Sequence, residues 1–331
     1  MRTGATPTPA RSASEGGVTA GSVMVPQDPE HAVTARPQAA ERPRRSLVGR
    51  LVEHLVYPLR RGELPAAGPA TGFYTDTSVC IGCKACEVAC KQWNQLPADG
   101  FRFTGDSYDN TAQLGAESWR HVKFVEQFPA ARRLSLDVVP APEPAAPRWL
   151  MLSDVCKHCE AAPCQHACPT GAILYNEFGN VYIQPDICNG CAYCIAACPF
   201  GVITRSHFDG HAHKCTLCYD RQRDGLVPAC AKACPTASIQ FGPVDELRAR
   251  AERRVAELKG RGHHQAHLYG DRPTATYSRL HSFYLLLDDA RVYGLPADPH
   301  NPWRHMLGDY VRSGAMLLAG LLAVGAAAFG S

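Results

Sequence analysis

Apolar positions recur at strand or helix spacing in only a few parts of this chain. Two short β-prone runs, 172–175 and 181–183, flank the polar stretch 176–180, and this order predicts a β-hairpin. Residues 244–262 carry charged side chains of both signs at a spacing of four, which predicts a solvent-exposed helix. Short β-hairpins and helical turns are therefore expected before residue 244, and a longer helix after it.

The two ends of the chain differ from its middle. Residues 1–70 are dominated by Ala, Pro, Thr, Gly, Ser and Arg, so we expect a disordered arm, in which the Leu and Val spacing over 46–57 predicts one amphipathic helix. Docking on a partner, lying on a membrane surface and packing on the protein's own domain are all open for that helix. Residues 313–331 carry no charge and would span about 28 Å as a helix. This pattern predicts a C-terminal transmembrane helix over 311–331.

The net charge gives no reason to expect a nucleic-acid partner, and the cysteine content suggests disulfides or metal sites. The 331 residues include 34 Lys plus Arg and 31 Asp plus Glu, so the formal charge of +3 gives no indication of nucleic-acid binding. Sixteen cysteines lie between Cys80 and Cys234. That number suits eight disulfides or four sites with four thiolate ligands each.

The spacing of the cysteines distinguishes these alternatives. Each of four groups opens with C-x2-C and closes with C-x3-C, the spacing of ferredoxin cluster sites. The groups are Cys80, Cys83, Cys86, Cys90; Cys156, Cys159, Cys164, Cys168; Cys188, Cys191, Cys194, Cys198; and Cys215, Cys218, Cys230, Cys234. Proline follows the last cysteine of three groups, whereas Lys91 follows Cys90. All sixteen ligands of four 4Fe-4S clusters are thus present.

Zinc and disulfides are the competing explanations. Paired C-x2-C knuckles also bind zinc, which would fit the fourth group alone, and many thiols two residues apart would make strained disulfides. Iron-sulfur clusters fit all four groups. The chain offers no catalytic residue: it has no spare cysteine nucleophile and no Gly-rich nucleotide motif, so its chemistry is the transfer of single electrons. We expect an α+β fold of two ferredoxin-like modules, each with two clusters, followed by the C-terminal helix.

Four segments resemble a known family. They are GFYTDTSVCIGCKACEVACKQWNQLP (72–97), SDVCKHCEAAPCQHACPTGAI (153–173), NGCAYCIAACPFGV (189–202) and KCTLCYDRQRDGLVPACAKACPTASIQFG (214–242). They resemble the iron-sulfur (beta) subunits of respiratory membrane-bound formate dehydrogenases, within the four-cluster 4Fe-4S subunits of molybdopterin oxidoreductases. The tail YLLLDDARVYGLPADP (284–299), which precedes an apolar helix, is also similar to that subunit.

The resemblance implies that the first motif pairs with the fourth and the second with the third, each lending its last cysteine to the other's cluster. The implied ligand sets are Cys80, Cys83, Cys86, Cys234 (cluster A); Cys90, Cys215, Cys218, Cys230 (cluster B); Cys156, Cys159, Cys164, Cys198 (cluster C); and Cys168, Cys188, Cys191, Cys194 (cluster D). Spacing alone also permits sequential pairing, first with second and third with fourth.

The resemblance also implies a function and partners. The expected function is electron transfer from formate oxidation, at a molybdenum or tungsten pterin site on a catalytic subunit, to a membrane subunit, a cytochrome b or similar, that reduces quinone. The equivalent subunit of a polysulfide, dimethyl sulfoxide or nitrate reductase is the alternative. The implied location is the plasma membrane with the clusters on the extracytoplasmic side, whereas Arg304 and Arg312 favour the cytoplasmic side by the positive-inside rule. We expect a four-cluster domain at 72–242 with an insert at 92–149, and an extension at 243–310 toward the membrane.

Overall fold

The computed structural model describes residues 68–98, 100, 105, 108–128, 147–274, 277–301 and 306–329. The predicted disordered arm, with its amphipathic helix over 46–57, therefore lies outside the described residues, apart from 68–70. Residues 129–146 of the predicted insert lie outside them as well.

The described strands are short. In chain order they are β1 (Thr71–Asp76), β2 (Arg120–Gln127), β3 (Arg148–Val155), β4 (Ile173–Tyr175), β5 (Val181–Ile183), β6 (Thr204–Arg205), β7 (Ala212–His213), β8 (Ile239–Pro243), β9 (His267–Tyr269) and β10 (Ser282–Leu286).

The described α-helices are mostly one or two turns long. They are α1 (Ala85–Asn94), α2 (Pro163–His166), α3 (Tyr193–Ala197), α4 (Tyr219–Arg223), α5 (Ala229–Lys232), α6 (Val244–Gly260) and α7 (Met306–Phe329), and 3-10 turns lie at Thr77–Val79 and Ala290–Tyr293.

A four-stranded sheet with the order β8-β1-β10-β9 joins distant parts of the chain. β1 pairs in parallel with β10 and antiparallel with β8. Its side chains alternate between two buried faces, since Phe73 and Tyr284 contact the larger core while Tyr74 and Phe283 contact the smaller one. α6 covers the smaller core with Leu247, Ala251 and Leu258. The sheet thus closes the domain by bringing residues 71–76 beside 282–286.

Three two-stranded hairpins complete the sheet structure. β2 lies in the predicted insert and pairs along its whole length with β3, while β4 pairs with β5 and β6 with β7. The β4–β5 hairpin confirms the prediction made from the apolar pattern. Its turn is held by the Asn176 side chain, whose Oδ1 accepts hydrogen bonds from the backbone N–H groups of Phe178 at 3.2 Å and Asn180 at 2.9 Å.

Proline determines where three of the cysteine-bearing helices stop. α2, α3 and α5 end within two residues of Cys168, Cys198 and Cys234, each of which is followed by proline. α1 has Lys91 at the equivalent place and continues to Asn94. Helix α6 likewise confirms the charged helix predicted over 244–262, ending two residues earlier.

Helix α7 corrects one part of the predicted fold. Among the helices that the structure describes, none combines the length and the apolarity that crossing a bilayer requires. The transmembrane helix predicted over 311–331 is therefore wrong. Arg312 interrupts α7 near its start, so the charge-free part that the structure describes, 313–329, is about 26 Å long as a helix and falls short of the roughly 30 Å hydrocarbon core.

Candidate metal centres

All sixteen cysteines lie in the described part of the chain, and none of them forms a disulfide. In each C-x2-C knuckle the residue before the second cysteine has a left-handed backbone. The φ angles are 66° at Gly82, 43° at His158, 70° at Gly190 and 56° at Leu217. This shared conformation turns the backbone sharply between the two cysteines, which lets both thiols face the same side of the turn.

The second and third motifs line a common cavity. Its walls include Cys156, Cys159, Cys164 and Cys198, together with Tyr277. The Cys198 thiol is near enough to Cys159 to contribute, after burial, to the raised pKa of Cys159. These are the four residues of the predicted set C.

A second cavity is lined by the remaining cysteines of the same two motifs. Cys168, Cys188, Cys191 and Cys194, the members of the predicted set D, all contribute to its walls. Burial raises the pKa of Cys194 to about 11, and the adjacent thiols of Cys188, Cys168 and Cys191 contribute. Helices α2 and α3, which carry these two motifs, pack directly against each other.

The first and fourth motifs adjoin in the same way, with α1 packed on α5. Burial raises the pKa of the Cys90 thiol, and the thiols of Cys215, Cys230 and Cys218 raise it further because like charges repel. Burial also raises the pKa of Cys80, and the Cys234 and Cys83 thiols add to the effect. The last cysteine of each motif thus lies beside the opening cysteines of the other motif.

Neighbouring thiols also connect the sets to one another. Burial raises the pKa of Cys86 of set A to about 12, and Cys230 of set B contributes. Burial raises the pKa of Cys215 of set B, and Cys156 of set C is the strongest neighbour to raise it further. Sets A, B and C therefore follow one another in space through these two contacts.

Hydrogen-bond donors point at several of the sulfur atoms. The Tyr277 hydroxyl lies 2.9 Å from Cys159 Sγ and Arg120 Nη2 lies 3.2 Å from Cys230 Sγ. The backbone N–H of Leu217 donates to Cys215 Sγ at 3.3 Å, and that of Ala212 donates to Cys188 Sγ at 3.4 Å. Sets C and D line cavities, and sulfur atoms of sets B, C and D accept N–H or O–H bonds, as a cubane cluster requires of its protein, so these residues fit 4Fe-4S clusters.

The exposure of the cysteines is lowest in set B and highest in sets A and D. All four cysteines of set B are buried. Set C has three buried cysteines and one of intermediate exposure. Cys83 of set A and Cys191 of set D are the two exposed cysteines, so the surface is reached at sets A and D.

Sequence reasoning missed several residues that contact these sites. Arg120 belongs to the insert and had no local signal in the sequence, but β2 places it against the fourth motif. Tyr277 lies outside every cysteine motif. Lys214 adjoins Cys215 and is buried. A lysine directly before a cluster cysteine was visible in the sequence, but nothing local indicated its burial.

Comparison with known proteins agrees with this geometry. Two models described as a 4Fe-4S dicluster domain match residues 79–172 and 147–244. A formate dehydrogenase iron-sulfur subunit of Haemophilus influenzae is 41% identical over 228 residues, 68% of this chain and 68% of that protein. The chain belongs to the formate dehydrogenase iron-sulfur subunits.

Other relatives give the same picture. The iron-sulfur subunit of the nitrate-inducible formate dehydrogenase of Escherichia coli is 41% identical over 228 residues, covering 68% of this chain and 71% of that subunit. A subunit of the anaerobic dimethyl sulfoxide reductase of the same organism is 36% identical over 180 residues, 54% of this chain and 76% of that protein. The chain is thus an electron-transfer subunit with four 4Fe-4S clusters, which confirms the predicted cofactors over the alternatives of zinc and disulfides.

Proposed function

We propose that this subunit relays electrons between a formate-oxidising subunit, which contains a molybdenum or tungsten pterin, and a membrane subunit that reduces quinone. Formate gives CO2, one proton and two electrons, and a quinone takes up two electrons and two protons. The bound clusters accept and release these electrons singly. The chain's own residues hold the clusters in order and keep the inner ones away from solvent.

The distribution of exposed cysteines carries this proposal. Set B is buried and set C nearly so, whereas Cys83 and Cys191 are exposed at sets A and D. The surface beside Cys83 presents Ile81 at 58% and Val88 at 67% exposure, and that beside Cys191 presents Ile187 and Tyr193. A relay between two partners needs two exposed ends and an insulated middle, and exposed apolar side chains at both ends suit protein contacts.

The ligand sets A to D are part of the proposal. Support comes from the two cysteine-lined cavities, from the packing of α1 on α5 and of α2 on α3, and from the donors that face the sulfur atoms.

We also propose the division into a four-cluster domain at 72–242, whose insert at 92–149 contributes β2, and an extension at 243–310. The cluster domain would lie on the extracytoplasmic side of the plasma membrane, and protease treatment of intact cells tests that side.

Purification of the complete complex tests the function. We expect a formate-dependent reduction of quinone and about sixteen irons in this subunit, four for each predicted cluster. A complex that reduces quinone with no dependence on formate would contradict the proposed electron source, while the clusters and their ligands would stand.

Two serine variants test the ligand sets separately. Cys234→Ser should alter the paramagnetic resonance signal of the cluster held by Cys80, Cys83 and Cys86, and Cys168→Ser should alter that of set D. Sequential pairing predicts a different result for the second variant, namely a change in the cluster held by Cys80, Cys83 and Cys86. That outcome would refute the crossed arrangement.

A further inference from the structure

Lys214 and Arg120 are cations that are buried among the cysteines, and neither has a carboxylate partner in the described residues. Lys214 is 3% exposed and Arg120 is 2% exposed. Across the described residues, neither side chain forms a salt bridge with Asp or Glu, whereas the equally buried Lys157 is paired with Asp154. Burying an ammonium or guanidinium group costs several kcal/mol unless an anion compensates it, so these two charges require another source of negative charge.

Lys214 lies between the cavity of set C and the fourth motif. Its Nζ donates hydrogen bonds to the carbonyl oxygens of Val181 at 2.5 Å and Cys215 at 3.1 Å. Val181 lines the cavity that contains the four cysteines of set C, and Cys215 belongs to set B. The lysine therefore adjoins sets B and C together.

Arg120 occupies the corresponding place between sets A and B. Its Nη2 donates to Cys230 Sγ, and its Nη1 lies 3.3 Å from the Ser153 hydroxyl, which in turn lies 3.2 Å from Cys86 Sγ. The guanidinium carbon also lies 4.8 Å from the centre of the Phe73 ring, which leaves no room for water on that side. Its hydrogen bonds thus reach ligands of both neighbouring sets.

The chemistry of the ligand sets identifies the missing negative charge. A 4Fe-4S core with four thiolates is a dianion when oxidised and a trianion when reduced. A fixed cation nearby stabilises the reduced state more than the oxidised one, and a buried site screens this effect little. We propose that Arg120 and Lys214 are charge-compensating residues that raise the reduction potential of cluster B from its two sides. This inference rests on the proposed ligand sets.

The positions of the two cations predict a crossed pattern of effects. Both adjoin set B, but Arg120 shares its second contact with set A and Lys214 shares its second contact with set C. Neither cation has a contact with the thiols of set D in the described structure. Each residue should therefore influence cluster B and one different neighbour, while cluster D serves as an internal control.

Potentiometric titration followed by paramagnetic resonance tests this pattern in the purified holoprotein. In Lys214→Met we expect the ratio of reduced to oxidised clusters, at a fixed potential, to fall roughly tenfold for clusters B and C, which is a shift of about 59 mV for one electron. Arg120→Met should shift clusters A and B by a similar amount. Lys214→Arg and Arg120→Lys keep the positive charge, so the cluster potentials of these variants should stay near those of the wild type.

The matched control is Lys232→Met, which removes an exposed lysine only two residues from Cys230 and Cys234. Because water screens the charge of Lys232, the cluster potentials of this variant should change little. The proposal is overturned if Lys214→Met shifts clusters B and C no more than Lys232→Met does, or if Lys214→Arg shifts them as far as Lys214→Met.

The iron content of each variant distinguishes a protein that does not assemble from one that contradicts the proposal. If Lys214→Met does not load iron, Lys214→Gln replaces it, since its amide still offers an N–H donor to Val181. Failure of both neutral variants, with normal loading of Lys214→Arg, supports a requirement for the charge; failure of Lys214→Arg as well shows a steric role and overturns the proposal. Wild-type protein without four clusters would instead refute the ligand sets.

Discussion

Gly72→Ala tests the closure of the domain by the β1–β10 pair. A methyl group at this position would lie 2.8 Å from the carbonyl carbon of His281 and closer still to its oxygen. Normal carbon–carbon contacts are about 3.5–4.0 Å, so the two strands would have to separate by about 1 Å. That movement stretches the 2.8 Å hydrogen bond from the Phe73 N–H to the His281 carbonyl beyond bonding distance.

The expected loss of stability follows from the broken hydrogen bond and the overpacked methyl group. A buried N–H without a partner costs about 1–3 kcal/mol, and overpacking costs about 1–3 kcal/mol more. For a domain of this size each kcal/mol lowers the melting temperature by about 2–4 °C, so we expect a decrease of roughly 10 °C. Circular dichroism at a fixed heating rate measures it.

Gly242→Ala is the matched control, because Gly242 is the β8 residue directly opposite Gly72. A methyl group there would first meet Leu247 at 4.0 Å, which is an ordinary contact. We expect its melting temperature to stay within about 3 °C of the wild type. Equal decreases in both variants would refute the argument that backbone contact between β1 and β10 limits position 72.

Two further substitutions test the site and the pH dependence. Tyr277→Phe removes the hydroxyl that donates to Cys159 Sγ, so the potential of cluster C should fall by about 15–30 mV, taking a quarter of a charged hydrogen bond as the difference between redox states. Tyr269→Phe is the control, because its hydroxyl donates to the Pro296 carbonyl, and an equal shift in both variants would contradict a role for the sulfur contact. Burial lowers the pKa of His281 to about 4 from 6.5, so the unfolded state binds more protons between these values and stability falls by about 3 kcal/mol as the pH drops from 6.5 to 4. His281→Leu should flatten this decline in melting temperature, and an unchanged slope would exclude His281 as its cause.

Local sequence signals predicted those elements that depend on local chemistry. The β4–β5 hairpin follows from two β-prone runs around Asn176, and the ends of three cysteine-bearing helices follow from the prolines after Cys168, Cys198 and Cys234. The cluster cofactors followed from spacing alone, because sixteen thiolates in four repeated groups have few other uses.

Elements that depend on distant contacts were not predictable in this way. The pairing of β1 with β10 joins residues about two hundred positions apart, and no turn links them to specify the register. Arg120 reaches Cys230 only because β2 folds beside β3, and the burial of Lys214 depends on the Val181 carbonyl. The C-terminal helix shows the converse error, because the absence of charge over 313–331 was taken as evidence for a membrane span that the described helix does not supply.

The β8-β1-β10 arrangement also constrains the order of events during synthesis. β1 is among the first described segments to leave the ribosome, yet its two sheet neighbours end at Pro243 and Leu286. The nascent first motif therefore has an incomplete sheet beside it until most of the chain has been made. With the proposed ligand sets, we expect iron delivery to the first and fourth motifs to be a late step in biogenesis, during which their eight thiols have to stay reduced.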